Sequence, residues 1–258
     1  MIVDAHAHVW KKNPAWPDPA ATIMSPASDV PLELLKRYMN EHGVGRTVLV
    51  QPMYPGEDNS LVVEAARAEP ERFAAVVWVD PRSPERLDRW PCRGLRLRPA
   101  FAAETAHFEN EAIWRKAAGL GLVVSVLARA EHVAAIGRMA ARFPSVPLIV
   151  DHLAHPDPAL PAPVLELARH ANVHVKPTGY YYYSKQGYPY DDCAGLFRSV
   201  YERFGPERLI WGSDFPHVLL KSGYGASLRL FPSLTAAERE LVLGGNAERL
   251  YGWATSPL

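Results

Sequence analysis

The sequence predicts a single-domain α/β protein, a closed (β/α)8 barrel of the TIM type over residues 1–258. Three observations predict it. Eight short apolar runs alternate with about eight amphipathic segments along the whole chain. Several of the runs are β-branched and nearly continuous in hydrophobicity, as strands buried on both faces of a parallel sheet are. The length of 258 residues suits one such barrel, and no break in composition marks a second domain.

The elements follow in order. Ile2 to Ala5 is the first strand candidate. The others are Thr47 to Gln51, Ala74 to Asp80, Gly94 to Leu97, Leu122 to Leu127, Pro147 to Asp151, Val173 to Lys176 and Leu209 to Gly212. Helical periodicity fills the intervals, at Pro31 to His42, Asn59 to Ala68, Pro84 to Trp90, Asn110 to Ala118, His132 to Arg142, Pro163 to His170 and Cys193 to Phe204. Thr235 to Leu243 and Ala247 to Tyr251 follow the last strand. An open doubly wound sheet would also alternate. However, no Gly-rich dinucleotide fingerprint follows the first strand, and histidines occupy that turn instead. Two connections are long, Trp10 to Val30 and Thr178 to Asp192. In a barrel both lie on the catalytic face, where long loops serve as lids or binding loops.

Composition removes several function classes. Lys+Arg and Asp+Glu each number 28, so the net charge is zero and nothing points to nucleic acid. No apolar run reaches the roughly 18 residues of a membrane span. The 24 prolines are scattered as loop punctuation. Cys92 and Cys193 lie in no metal-type spacing and are expected to be free thiols in a reducing compartment. With a strand at the very start and no signal-peptide pattern, the expected location is cytoplasmic. The expected partner is a small-molecule substrate, and a homo-oligomer is compatible with this reading.

Chemistry-bearing residues gather at strand ends. Ile2-Val3-Asp4-Ala5-His6-Ala7-His8 places two imidazoles two positions apart, so both project from one face and can grip one ion or one water. Gln51 ends the second strand, Arg96 and Arg98 the fourth, His152 the sixth, Lys176 the seventh and Asp214 the eighth. In a barrel these ends share one mouth. Asp214, beside imidazoles, would stay ionised and could take a proton from an attacking water. Its plainer role is to cap the Ser-Asp-Phe-Pro turn. His152 could orient water, ligate a metal, protonate a leaving group, or be a buried histidine bonded to backbone. Asp151 has the opposite parity and is expected to face the helix layer. Arg96 and Arg98 share a parity suited to a carboxylate, although one of them could serve a structural ion pair. Tyr180 to Tyr183 could close over a ring, and His217 could donate to a carbonyl or carboxylate. His155 falls in a loop. His42, His132 and His170 read as surface residues, and His107 and His174 carry no site argument.

The first-strand motif, together with Val150-Asp151-His152-Leu153, Val175-Lys176-Pro177-Thr178-Gly179, Trp211-Gly212-Ser213-Asp214-Phe215-Pro216-His217 and Gly245-Asn246-Ala247-Glu248-Arg249-Leu250-Tyr251, resembles the amidohydrolase superfamily. The closer resemblance is to the amidohydrolase-2 group and its 2-pyrone-4,6-dicarboxylate lactonase-like metal-dependent hydrolases. It covers essentially the whole chain. It implies a barrel that hydrolyses a small cyclic ester, a sugar lactone or a pyrone. By position it implies His6, His8, His152 and Asp214 as catalytic or metal-binding residues. It implies Arg96, Arg98, Lys176 and His217 as substrate contacts; Gln51, at its strand end, and Tyr180, in the tyrosine run, are added from the residues themselves. The fifth strand reads Val124-Ser125-Val126-Leu127 and has none of the bridging ligands of binuclear members, nor the extra histidine of decarboxylase relatives. The resemblance therefore implies one divalent ion, zinc or manganese, or none, since the branch includes both kinds. The expected activity is hydrolysis of a carboxylate-bearing lactone. Its rivals are a decarboxylase or amide hydrolase on the same scaffold, and a non-catalytic binding barrel.

Overall fold

The computed structural model describes residues 1–12, 28–53, 55–158, 162–231 and 233–253. Seven strands form one curled parallel sheet in sequence order: β1 (Ile2–Ala7), β2 (Val44–Val50), β3 (Phe73–Val77), β4 (Gly94–Leu97), β5 (Val123–Val126), β6 (Leu148–Val150) and β7 (Val173–Val175). Each strand pairs with the next, and a helical segment lies in every crossover. Parallel neighbours require such crossovers, which is why the alternation was readable. Pro84–Arg89 and Pro163–Arg169 wind as tighter 3-10 turns where helical periodicity predicts α-helix.

Period two sorts the strand residues between two layers. Leu49, Leu95, Leu97, Val124, Val126, Val150, Val173 and Val175 pack outward on the helices. Val48, Val50, Ala74, Val76, Val123 and Ile149 face the concave side, where Tyr251 and Trp253 from the end of the chain pack against them. Burying both sides accounts for the unbroken apolar runs.

The eighth expected strand, Leu209 to Gly212, makes no ladder. Leu209 bridges Val175 of β7, and Phe215 bridges Ala7 of β1. Between those points Ile210 N–H donates to the Val175 carbonyl (3.0 Å), and Ala5 N–H donates to the Trp211 carbonyl (3.2 Å). The Trp211 N–H turns away to the Val242 carbonyl (2.9 Å), which removes one donor from a regular ladder. Gly212 has a steric reason to be glycine: a Cβ there would lie 2.6 Å from the His6 Cβ and 2.8 Å from its nitrogen. Of the two long connections, Trp10 to Val30 lies mostly outside the described residues, and its stem closes through paired Trp10 and Val30 backbones.

His174 in β7 yields a stability prediction. Burial pushes its pKa from 6.5 down to about 4, and its Nδ1 has no hydrogen-bond partner. The unfolded chain therefore binds this proton first as pH falls. Stability is full above pH 6.5 and is lost on the way down to about pH 4, by at most about 3 kcal/mol. His174→Gln should flatten that acid limb in urea melts at pH 4.5 and 7. An unchanged limb would show that the ring is not the proton acceptor.

Candidate active site

β1 delivers His6 and His8 to the carboxyl end of the sheet. A register irregularity between Asp4 and Ala7 turns the chain there, so Asp4 and His6 do different jobs. Asp4 is fully buried and accepts from Ser213 N–H (2.8 Å), Ser213 Oγ–H (2.5 Å) and Tyr224 O–H (2.9 Å). It ties β1 to the segment carrying Asp214. His6 and His8 sit edge to face with ring centroids 4.9 Å apart. The His8 Nδ1 donates to the Val50 carbonyl at 2.7 Å, which leaves its Nε2 as the free lone pair.

Three imidazoles converge on one oxygen. Asp214 Oδ1 lies 3.4 Å from His8 Nε2, 3.7 Å from His6 Nε2 and 4.0 Å from His152 Nε2. The other oxygen, Oδ2, accepts from Tyr181 O–H at 2.5 Å and Tyr182 O–H at 2.7 Å. Burial alone would raise the Asp214 pKa. The facing imidazoles of His152, His8, His217 and His6 outweigh that and hold it well below the ordinary carboxylate range. Burial pushes His152 down to about 4, so it is neutral near pH 7. Asp214 has φ +58°, and His152 through His155 form a run of four left-handed residues with φ between 49° and 60°. Such conformations cost of order 1 kcal/mol each and collect where side chains must be aimed.

His6, His8 and Asp214 offer donor atoms within 4.8 Å of one another, a set suited to a divalent ion. The His6 Nε2 is buried with no hydrogen-bond partner, so this ring atom is open to an ion or a ligand. His152 flanks the set without completing it. Below His6 lies a buried ion pair. Lys176 Nζ is 2.9 Å from Asp151 Oδ1 and 3.1 Å from His6 Nδ1, and Ser125 Oγ–H donates to Asp151 at 2.8 Å. Burial lowers the Lys176 pKa and the Asp151 charge opposes that; Asp151, raised by burial, is held far below its ordinary value by Lys176 and His6. This overturns the expected outward-facing Asp151. The parity of β6 runs through Ile149, so Asp151 faces inward, and the left-handed turn that follows swings His152 to the same centre.

A cavity of about 660 Å³ opens above these groups. His8, His152 and Asp214 form part of its wall, with Arg96, Arg129, His155 and His217 around them. Among the described residues neither Arg96 nor Arg129 pairs with a carboxylate within 4.0 Å. Arg96 donates to the Gln51 carbonyl (2.8 Å), and its Nε is buried without a partner. Burial lowers the pKa of Arg96 while Asp151 and Asp214 oppose it.

The amidohydrolase family profile matches residues 3–253. The chain belongs to the amidohydrolase family. It is 30% identical to an L-fucono-1,5-lactonase of Burkholderia ambifaria, over 96% of this chain and 94% of that one. It is 26% identical to a 4-sulfomuconolactone hydrolase of Hydrogenophaga intermedia, over 96% and 88%. The crystal structure of an amidohydrolase from Burkholderia multivorans with bound zinc superposes with a TM-score of 0.84 at 27% identity, covering 98% of this chain and 99% of that one.

Within this amidohydrolase, three expected substrate contacts lie away from the cavity, and a fourth lines it but is engaged by the protein. Gln51 follows the outward parity of Leu49, and its amide donates to the Gly56 and Asp58 carbonyls, holding its own loop. Tyr180 packs with Tyr190 and Cys193, away from the cavity. Lys176 is fully buried beneath His6. Arg98 borders the cavity, but its guanidinium is held by Glu104 at 2.7 Å and stacks on Trp78 at 4.1 Å. The sequence reading missed Tyr181 and Tyr182 as partners of Asp214, and Arg129 as a cavity cation. In the tyrosine run no periodicity says which ring points inward. The only signal for Arg129 was its place just after the fifth strand.

Proposed function

We propose that this amidohydrolase opens a small carboxylate-bearing lactone, with Asp214 as the base. The observation that carries this reading is the convergence of His6, His8 and His152 on Asp214 Oδ1, at the wall of a cavity that also exposes Arg96 and Arg129. The lactone-named relatives support the same reaction class. We read residues 1–258 as one domain, with residues 209–215 completing an eight-part barrel between β7 and β1.

In this reading Asp214 accepts a proton as water adds to the lactone carbonyl carbon. The ring C–O bond of the tetrahedral adduct then breaks, and the departing oxygen takes that proton back. The product is a hydroxy acid, and atoms and charge balance. His152, neutral and adjacent, orients the water. His217 faces the carbonyl side, and Arg96 and Arg129 hold the substrate carboxylate. His6, His8 and Asp214, with His152 beside them, would hold one zinc or manganese ion, which when bound polarises a carbonyl and acidifies water. The fifth strand, Val124-Ser125-Val126-Leu127, offers no ligand to bridge two ions, so one ion at most is expected.

The test is a panel of aldonolactones and pyrone carboxylates read with a pH indicator, before and after chelation and after adding back zinc or manganese. Turnover of at least one lactone supports the reading. No turnover by metal-replete protein across the panel would sink it. Arg96→Met and Arg129→Met should each raise KM for a carboxylate-bearing lactone at least about tenfold, the worth of one lost charge-assisted contact, with a smaller change in kcat. Equal KM values for wild type and both variants would move the anion site elsewhere.

A further inference from the structure

We propose that Tyr181 and Tyr182 are positioning residues that clamp the outer oxygen of Asp214 and so assign the other oxygen to the chemistry. The two hydroxyls reach the same Oδ2 from adjacent positions of one turn, at 2.5 and 2.7 Å. Two donors on one oxygen fix the rotation of the carboxylate about its last bond, a torsion that is otherwise broad. Oδ1 is thereby turned to face His6, His8 and His152. Without the clamp the carboxylate could rotate or offer both oxygens inward.

The clamp is built from the loop after β7. Gly179 starts the turn at φ +69°, where a Cβ would lie 2.6 Å from His152 Nδ1 and 2.9 Å from the Tyr182 ring. Only glycine lets the loop descend far enough for both hydroxyls to arrive. The Tyr182 ring also packs edge to face against His152 and His155, each with centroids 5.3 Å apart. Tyr181 and Tyr182 themselves are 4.6 Å apart, so the rings brace one another. The loop backbone, the base and its imidazole neighbour thus share one set of contacts. Tyr180 and Tyr183, edge to face at 5.8 Å, brace the same turn.

The clamp rests on the lactonase reading only for its kinetic arm. Tyr181→Phe, Tyr182→Phe and the double variant keep the rings and remove the hydroxyls, and thermal melting controls for folding. Partners that orient a metal ligand are worth about 10–100-fold in metal affinity or activity. The double variant should therefore lose at least about tenfold in zinc affinity, measured by competition with a chelating dye, or in kcat, with KM within about twofold. Each single variant should lose less than the double, because one hydroxyl still holds Oδ2. A double variant that keeps both zinc affinity and kcat within about threefold of wild type would overturn the clamp. A panel with no lactone turnover would overturn the lactonase reading alone, since zinc affinity is measured without substrate.

Discussion

Asp214→Asn should leave the protein folded and lower lactone turnover by about 10²–10⁴-fold, the usual worth of a general base. The amide is nearly isosteric and can still accept from Tyr181 and Tyr182, which hold Oδ2 in the wild type. It cannot take a proton from water. Substrate affinity should largely survive, because Arg96 and Arg129 are untouched. Melting temperature and zinc content, measured beside kcat, separate a lost base from a lost fold or a lost ion. A folded variant with wild-type turnover would remove Asp214 from the mechanism.

Lys176→Met should be the most damaging substitution for stability. It strips the partner from Asp151, which has no solvent exposure, and leaves that carboxylate with Ser125 and the His6 ring. Breaking a buried pair from one side costs about 3–5 kcal/mol. For a chain of this size that is a fall in Tm of roughly 10 °C. Lys176→Met combined with Asp151→Asn should recover much of the loss, because no bare charge remains. The double-mutant cycle reads the coupling directly. A single variant that melts with wild type would mean that Asp151 is held by other groups.

Most of the scaffold was legible because its signals are local. A residue that must be apolar on both sides announces a parallel strand, and the runs at Thr47, Gly94 and Val173 became β2, β4 and β7. The imidazole pair of β1 was legible for the same reason: two-residue spacing on an extended chain aims both rings alike. Asp214 was found by its place at the end of the last apolar run.

Strand parity carried on one residue past β2 and β6, and the expected directions of Gln51 and Asp151 ran against it. Gln51 kept the outward parity of Leu49 and turned to its own loop. Asp151 kept the inward parity of Ile149, and a left-handed turn carried His152 inward as well, so neighbours assigned to opposite faces share one site. Arg98 found Glu104, six residues on, and that pairing depends on the path of the intervening loop.

By itself the sequence determined the alternating parallel architecture and the family, and it offered His6, His8, Asp214 and His152 as candidate ligands, of which the first three stand together in the structure. Each of these follows from spacing along an extended strand or from an ordered set of motifs. Only the tertiary structure decided that Lys176 neutralises Asp151, that Arg129 lines the cavity, and that Tyr181 and Tyr182, not Tyr180, reach Asp214. Those assignments depend on loop backbones in left-handed turns and on contacts between strands far apart in the chain. Neither leaves a periodic trace in the order of amino acids.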